Sequence, residues 1–404
     1  MNIAVAQSGG PTCAINASLV GVFREALRNP VIDAVFGSKN GIEGLIKDDL
    51  TDLRRVIRTN EDMELLRRTP STVLGSCRVK LPAPDDADGA HIFDQIFSCL
   101  EKHRIGAFFY IGGNDSMDTV EKLSRVGKER GSDIRFIGIP KTIDNDLPVT
   151  DHTPGFGSAA KYVCATVQEI IRDSSVYSID SITIIEIMGR NAGWLTASTC
   201  MLRANGETAP HLIYLPEADF SSEKFLEDLA AEKAKHKAVI VAVSEGVDPD
   251  CGDDMRSGVS DNFGHKYLSG VGKALELLAR DRIGCKVRSI ELNVMQRCSS
   301  HICSKTDIDE AEAIGAEAVK AALRGENGVT MVFRRLSDSP YVVTIETADT
   351  SMLANKEKRF PKRWINRAGN GVSDEAVKYF LPLIQGEVDI FMNNGMPRHF
   401  KLTD

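Results

Sequence analysis

The chain has 404 residues, 42% of them apolar and 26% charged; that length exceeds one ordinary core, so two domains are expected, and the composition excludes a disordered or fibrous chain. A formal net charge of −8 supplies no overall basic field for nucleic acid, so an anionic ligand must be met by a local concentration of Arg, Lys, backbone N–H groups or metal. No stretch is long enough to cross a bilayer, the start lacks signal-peptide features, and the nine cysteines are irregularly spaced, so a cytoplasmic protein with reduced thiols and no membrane or nucleic-acid partner is expected.

Short runs rich in Val, Ile and Ala alternate with longer segments of helical period, the pattern of a mostly parallel sheet with crossover helices. Strands are predicted at Asn2–Gln7, Asp33–Ser38, Ala107–Ile111, Arg135–Ile139, Ser181–Ile187, Leu212–Leu215, Ala238–Ser244 and Val287–Leu292. Phe156, Ala159, Ala160, Val163, Val167, Ile170 and Ile171 recur at helical spacing and predict a helix. Asp248 to Asn262, rich in charges and turn formers, reads as a loop or lid. Val329–Phe333 and Tyr341–Ile345 read as a hairpin around Asp338-Ser339-Pro340.

The unusual motifs follow these strands, where ligands of open α/β sheets sit against helix N-termini. Ser8-Gly9-Gly10-Pro11-Thr12 follows the first strand, and Gly112-Gly113-Asn114-Asp115-Ser116 another. A glycine pair there lets backbone N–H groups approach a phosphate, yet neither turn has the Walker ending, and the first lacks the dinucleotide fingerprint. A third turn, Pro140 to Asp146, holds Asp144 and Asp146 beside Lys141 and Thr142. Phosphoryl transfer needs such a set: one carboxylate for the acceptor proton, another for Mg²⁺, and a cation to absorb the transferred charge. Met188-Gly189-Arg190-Asn191 follows a further strand, where Arg190 can donate bidentately to phosphate. Cys298, His301 and Cys303 are the one crowded metal-ligand set, and they lack a second half at suitable spacing.

Taken in order, Gly9-Gly10, Gly44, Leu74-Gly75-Ser76-Cys77-Arg78, Gly112–Ser116, Pro140–Asp146, Met188–Arg190, Glu245 and Gln296-Arg297 resemble the phosphofructokinase family. The resemblance runs from the first strand to about Thr306. It implies two Rossmann-like α/β domains, with mostly parallel sheets sandwiched by helices and the active site in the cleft between them. The expected division is 1–155 plus about 298–326 for a donor-binding domain, and 156–297 plus about 327–404 for a sugar-phosphate domain.

By that resemblance Asp144 is the general base toward the sugar 1-hydroxyl and Asp146 helps organise Mg²⁺. Thr142 and Ile143 lie beside the reacting groups, while Arg78 and the Gly10 N–H hold donor phosphate. Met188, Gly189 and Arg190 contact the sugar. Glu245, Arg288 and Arg297 map onto sugar-phosphate contacts, one arginine commonly reaching in from a neighbouring subunit, so a homodimer or homotetramer is implied.

The donor side departs from ATP-using members, which carry Gly-Gly-Asp-Gly and Pro-Gly-Thr-Ile-Asp-Asn-Asp. Here Asp115 puts a carboxylate where an ATP α-phosphate would lie, and Lys141 can face a departing phosphate. This pair resembles the family's pyrophosphate signature, with Ile42 replacing an adenine-stacking aromatic as a lesser sign. The implied reaction is reversible transfer from pyrophosphate to O1 of fructose 6-phosphate; the alternatives are an ATP-dependent enzyme or a catalytically silent regulatory subunit. Asn114 stands where an Asp is usual and offers Mg²⁺ an amide oxygen. Ser181 and Val294 replace an arginine and a His or Tyr of the sugar-phosphate subsite, and Lys356 and Lys358 are candidates to restore its charge.

Overall fold

The structure is a computed structural model and describes residues 1–86, 89–249 and 270–402. The loop expected at Asp248 to Asn262 lies, from residue 250 onward, outside the described residues. Two sheets organise the chain, and both draw their stability from strands buried on two faces.

The first sheet has seven strands in the order β11-β10-β5-β4-β1-β2-β3. They are β1 (Asn2–Gln7), β2 (Val35–Ser38), β3 (Leu50–Asp52), β4 (Ile105–Gly112), β5 (Arg135–Pro140), β10 (Val329–Asp338) and β11 (Tyr341–Asp349). Strand alternation explains its continuous apolar runs: Ile3 and Val5 pack on one layer with Ile15, Leu19 and Ile314, while Ala4 and Ala6 pack on the other with Phe93, Phe97 and Phe108. The helices Ile15–Arg28 and Lys305–Leu323 cover the first layer together. They touch backbone to backbone, because a Cβ on Gly21 would stand 2.0 Å from the Glu312 carbonyl oxygen and one on Gly315 2.1 Å from that of Ser18.

The second sheet is all parallel, in the order β7-β8-β6-β9. Its strands are β6 (Ser181–Ile187), β7 (Leu212–Tyr214), β8 (Ala238–Ser244) and β9 (Lys286–Glu291). Ile182 and Ile184 face one core layer and Ile185 and Ile187 the other. The predicted helix runs from Phe156 to Ser175, its Phe156, Ala160, Val163 and Val167 buried against the second layer.

Two features differ from the sequence reading. The hairpin after Gly328 forms, but its strands are longer than expected, and β10 pairs with β5 through Val329↔Ile137 and Thr330↔Gly138. Residues 329–349 therefore extend the first sheet, although they were grouped with the second unit; β5 would otherwise leave its edge unpaired. Beyond them the chain crosses back, and Phe360, Val372, Ala376, Phe380 and Leu383 join the core of the second sheet. Finally, Phe400 and Leu402 return to the first.

Candidate active site

Between the sheets, the turns at the carboxyl ends of β1, β4, β5 and β6 open into one cleft of about 750 Å³. That is ample for two small phosphate compounds. Gly10, Arg78, Asn114, Asp115, Lys141, Thr142, Ile143, Asp144, Asp146, Met188, Arg190 and Arg297 all line it. Three expected residues do not. Gly189, in the Met188–Arg190 turn, and Glu245 do not line the cleft; the Glu245 carboxylate accepts the Gly189 N–H at 3.3 Å. Arg288 sits on β9 outside this cleft, donating to Asp173, Ser174 and Thr183.

The donor half is built on a left-handed glycine. Gly9 has φ +74°, and a Cβ there would come within 3.2 Å of Lys141 Nζ. Lys141 is only 2% exposed, yet it reaches under this turn and donates to the Gly10 carbonyl at 2.5 Å. Burial lowers its pKa to about 8, with Asp144 and Asp146 pulling the other way and Arg297 adding to the fall. The Lys141 Nζ is thus held against the Gly9-Gly10 turn. Asp115 stands in the first turn of the helix Asn114–Glu129 and pairs with Lys80 at 2.9 Å. Lys80 also lines the cleft, and sequence reading passed over it although it stands two residues after Arg78.

The third turn is over-determined by its neighbours. Thr142 Oγ1 accepts the Asp144 N–H at 3.1 Å, and Thr153 donates to the Thr142 carbonyl at 2.8 Å. Asn145, at φ +53°, is anchored through its Nδ2 to the Tyr379 hydroxyl at 3.0 Å. These contacts point Asp144 and Asp146 into the cleft. Burial pushes the Asp144 carboxyl well above the usual range, Glu245 adds to this, and Lys141 opposes it. Asp146 is raised in the same way, by burial and then by the charge of Asp144. A further cation beside the two carboxylates would favour their charged forms.

Asn114 supplies a second sign, because its Oδ1 is buried without a hydrogen-bond partner. An orphaned oxygen of that kind costs about 1–3 kcal/mol unless a ligand meets it. The Asn114 amide oxygen and the Asp146 carboxylate, both lining the cleft, are oxygen donors of the kind a divalent cation takes.

Other expectations meet different surroundings. Ile42 is fully buried against Leu45 and Cys77, so it fills core rather than shaping the donor site. Lys356 is exposed and donates to the Ser351 carbonyl. Lys358 turns away from the sugar side: its ammonium donates to the Thr150 and Asp151 carbonyls at 3.1 and 2.8 Å and lies 5.0 Å from the Trp194 ring centre. Asn355, Glu357 and Arg359 line the cleft instead. The basic run marked the segment, but only the fold decides which of its side chains faces inward.

Glycine turns, a buried lysine and two buried aspartates gathered in one cleft of a doubly wound α/β frame fit the class of phosphoryl-transfer enzymes. The protein-family model for phosphofructokinase matches residues 2–322, and the chain belongs to that family. It is 37% identical to a pyrophosphate–fructose 6-phosphate 1-phosphotransferase of Halomonas elongata, over 100% of this chain and 96% of that one. A crystal structure of a pyrophosphate-dependent phosphofructokinase from Marinobacter aquaeolei superposes with a TM-score of 0.88 at 35% identity, covering 99% of this chain and 95% of that one. A sulfofructose kinase of Alkalicoccus urumqiensis is 32% identical over 89% of this chain and 90% of its own length. Family phosphotransferases generally need a divalent metal, as the donor set here allows. Among the described residues, no helix is long and apolar enough to cross a membrane.

Proposed function

We infer that the chain catalyses reversible phosphoryl transfer from pyrophosphate to O1 of fructose 6-phosphate, giving fructose 1,6-bisphosphate and phosphate. The observation that carries the choice of donor is Lys141, buried beneath the Gly9-Gly10 turn and facing a cleft whose other donor-side wall carries the Lys80–Asp115 pair. A pyrophosphate fits there without the third phosphate that would meet Asp115.

In the reaction, Asp144 accepts the O1 proton as the O1–P bond forms and the bridging P–O bond of pyrophosphate breaks. Lys141 neutralises charge on the departing phosphate, which Arg78 and the Gly10 N–H hold in line. Thr142 and Ile143 flank the reacting groups, and Met188, Gly189, Arg190 and Arg297 orient the sugar, with Glu245 fixing the Gly189 backbone. Mg²⁺ held by Asn114 and Asp146 would offset negative charge on the phosphate oxygens.

A homodimer or homotetramer belongs to the same reading, with Arg288 serving a neighbouring subunit. So does the cytoplasm, supported by eight free cysteines among the described residues. Initial rates with Mg-pyrophosphate and with Mg-ATP test the reading. Turnover with pyrophosphate and little with ATP is expected; turnover with ATP alone would overturn it.

A further inference from the structure

We propose that Arg359, in the C-terminal segment, binds the phosphate at the far end of the sugar substrate, in cis. The proposal rests on the sugar-phosphate reading of the cleft and assigns a residue beyond the family motifs.

The backbone on both sides of Arg359 is anchored. The Lys358 N–H donates to the Asp146 carbonyl at 2.6 Å, and the Phe360 N–H to the Glu217 carboxylate at 2.8 Å. Trp194 Nε1 donates to the Lys358 carbonyl at 2.9 Å. Lys358 and Phe360 both turn inward, Phe360 being 1% exposed in the core of the second sheet. Arg359 between them faces the cleft. Its position is therefore set by the same turn that carries Asp144 and Asp146.

The guanidinium has no hydrogen bond or ion pair to any described residue, and neither do those of Arg190 and Arg297, which line the same cleft. Three arginines without a hydrogen bond or ion pair to a described residue thus converge on one cavity, with the more distant charges of Asp144, Glu217 and Glu245 near them, and leave their donors open to an anion. The segment docks on the sugar side: Glu357 accepts from Asn191 Nδ2 at 2.6 Å, and Glu217, which holds Phe360, also accepts the Gly193 N–H at 3.0 Å. On the proposed reading, the donor phosphates already have Arg78 and Lys141, which line the same cleft.

On the sugar side, Arg190 and Arg297 are the cations the family motifs supply within the cleft. Position 181 is Ser and position 294 is Val, while Arg288 is engaged outside the cleft by Asp173 at 2.8 Å. An arginine suits the gap, because its planar fork grips a phosphate bidentately.

Arg359→Gln and Arg359→Lys, with steady-state KM measured separately for fructose 6-phosphate and pyrophosphate, test the assignment. The glutamine variant should raise KM for fructose 6-phosphate roughly 10- to 100-fold, the lysine variant less. KM for pyrophosphate should hold within about twofold, and kcat should fall less than the sugar KM rises. The unliganded Tm of each variant should match the parent, and the Tm rise that fructose 6-phosphate gives the parent without donor should shrink in the glutamine variant. An unchanged sugar KM, or a rise confined to pyrophosphate, would overturn the proposal while leaving the function intact. A parent enzyme inactive with these two substrates would instead overturn the function, and the proposal with it.

Discussion

Asp144 and Lys141 carry opposite requirements on protonation, and the cleft shifts both toward neutrality. As the proposed base, Asp144 would have to be ionised, and burial raises its pKa. As the proposed charge acceptor, Lys141 would have to be protonated, and burial lowers its pKa to about 8. In the free enzyme, log kcat/KM should then rise from acid pH with a midpoint above the ordinary carboxylate range and fall again near pH 8. Lys141→Met should remove the alkaline fall along with much of the rate; persistence of that fall in the variant would assign it elsewhere. Asp144→Ala should lower kcat by about 10²–10⁴ while fructose 6-phosphate binding, followed calorimetrically, remains. At the donor end, Asp115→Gly frees Lys80 and removes a like charge, so the inhibition constant of ATP against pyrophosphate should drop at least roughly 10-fold. These residues were all legible in the sequence, since each sits in a short motif whose chemistry survives without coordinates. Lys80 was not, because a lysine in an exposed run acquires meaning only when Asp115 is found 2.9 Å away.

At the level of elements, the strands were the most legible feature. A strand buried on both faces reads as an unbroken apolar run, as in β1, β6 and β8, whose predicted and observed limits coincide. The short edge strand β3, Leu-Thr-Asp with all three residues half-buried, has no such pattern and was missed. The chain beyond residue 350 was equally opaque. Its Phe360, Trp364, Tyr379 and Phe380 are scattered along the sequence, yet Phe360 and Trp364 lie 5.7 Å apart, and Trp194 is 5.1 Å from Phe360. This aromatic cluster holds the segment over the cleft. Phe360→Ala should cost about 3–5 kcal/mol, measured as a fall in the denaturant midpoint. It should also raise the sugar KM by loosening Arg359; stability lost without any change in KM would separate the cluster from the site.

Over the whole molecule, the cleft joins two sheets, so a ligand spanning it stabilises their mutual arrangement. Pyrophosphate with Mg²⁺ at 100 times its dissociation constant should add about 2.7 kcal/mol and raise Tm measurably; EDTA should cancel that rise and abolish turnover. A Tm rise with pyrophosphate alone, unaffected by chelation, would argue against Asn114 and Asp146 as cation ligands. The sequence by itself determined the family, the doubly wound frame and the candidate residues that the fold brings into one cleft, because a strand's apolar run and the polar turn after it are local properties, written within a few consecutive positions. What only the tertiary structure decided depends on contacts distant along the chain. It placed β10 and β11 in the first sheet, turned Lys358 toward the Thr150 and Asp151 carbonyls, and set Arg359 beside the turn holding Asp144, more than two hundred residues earlier in the sequence. Which of two adjacent basic side chains faces the cleft follows from the anchoring of the backbone between them, and those anchors, Asp146 and Glu217, lie in other parts of the fold.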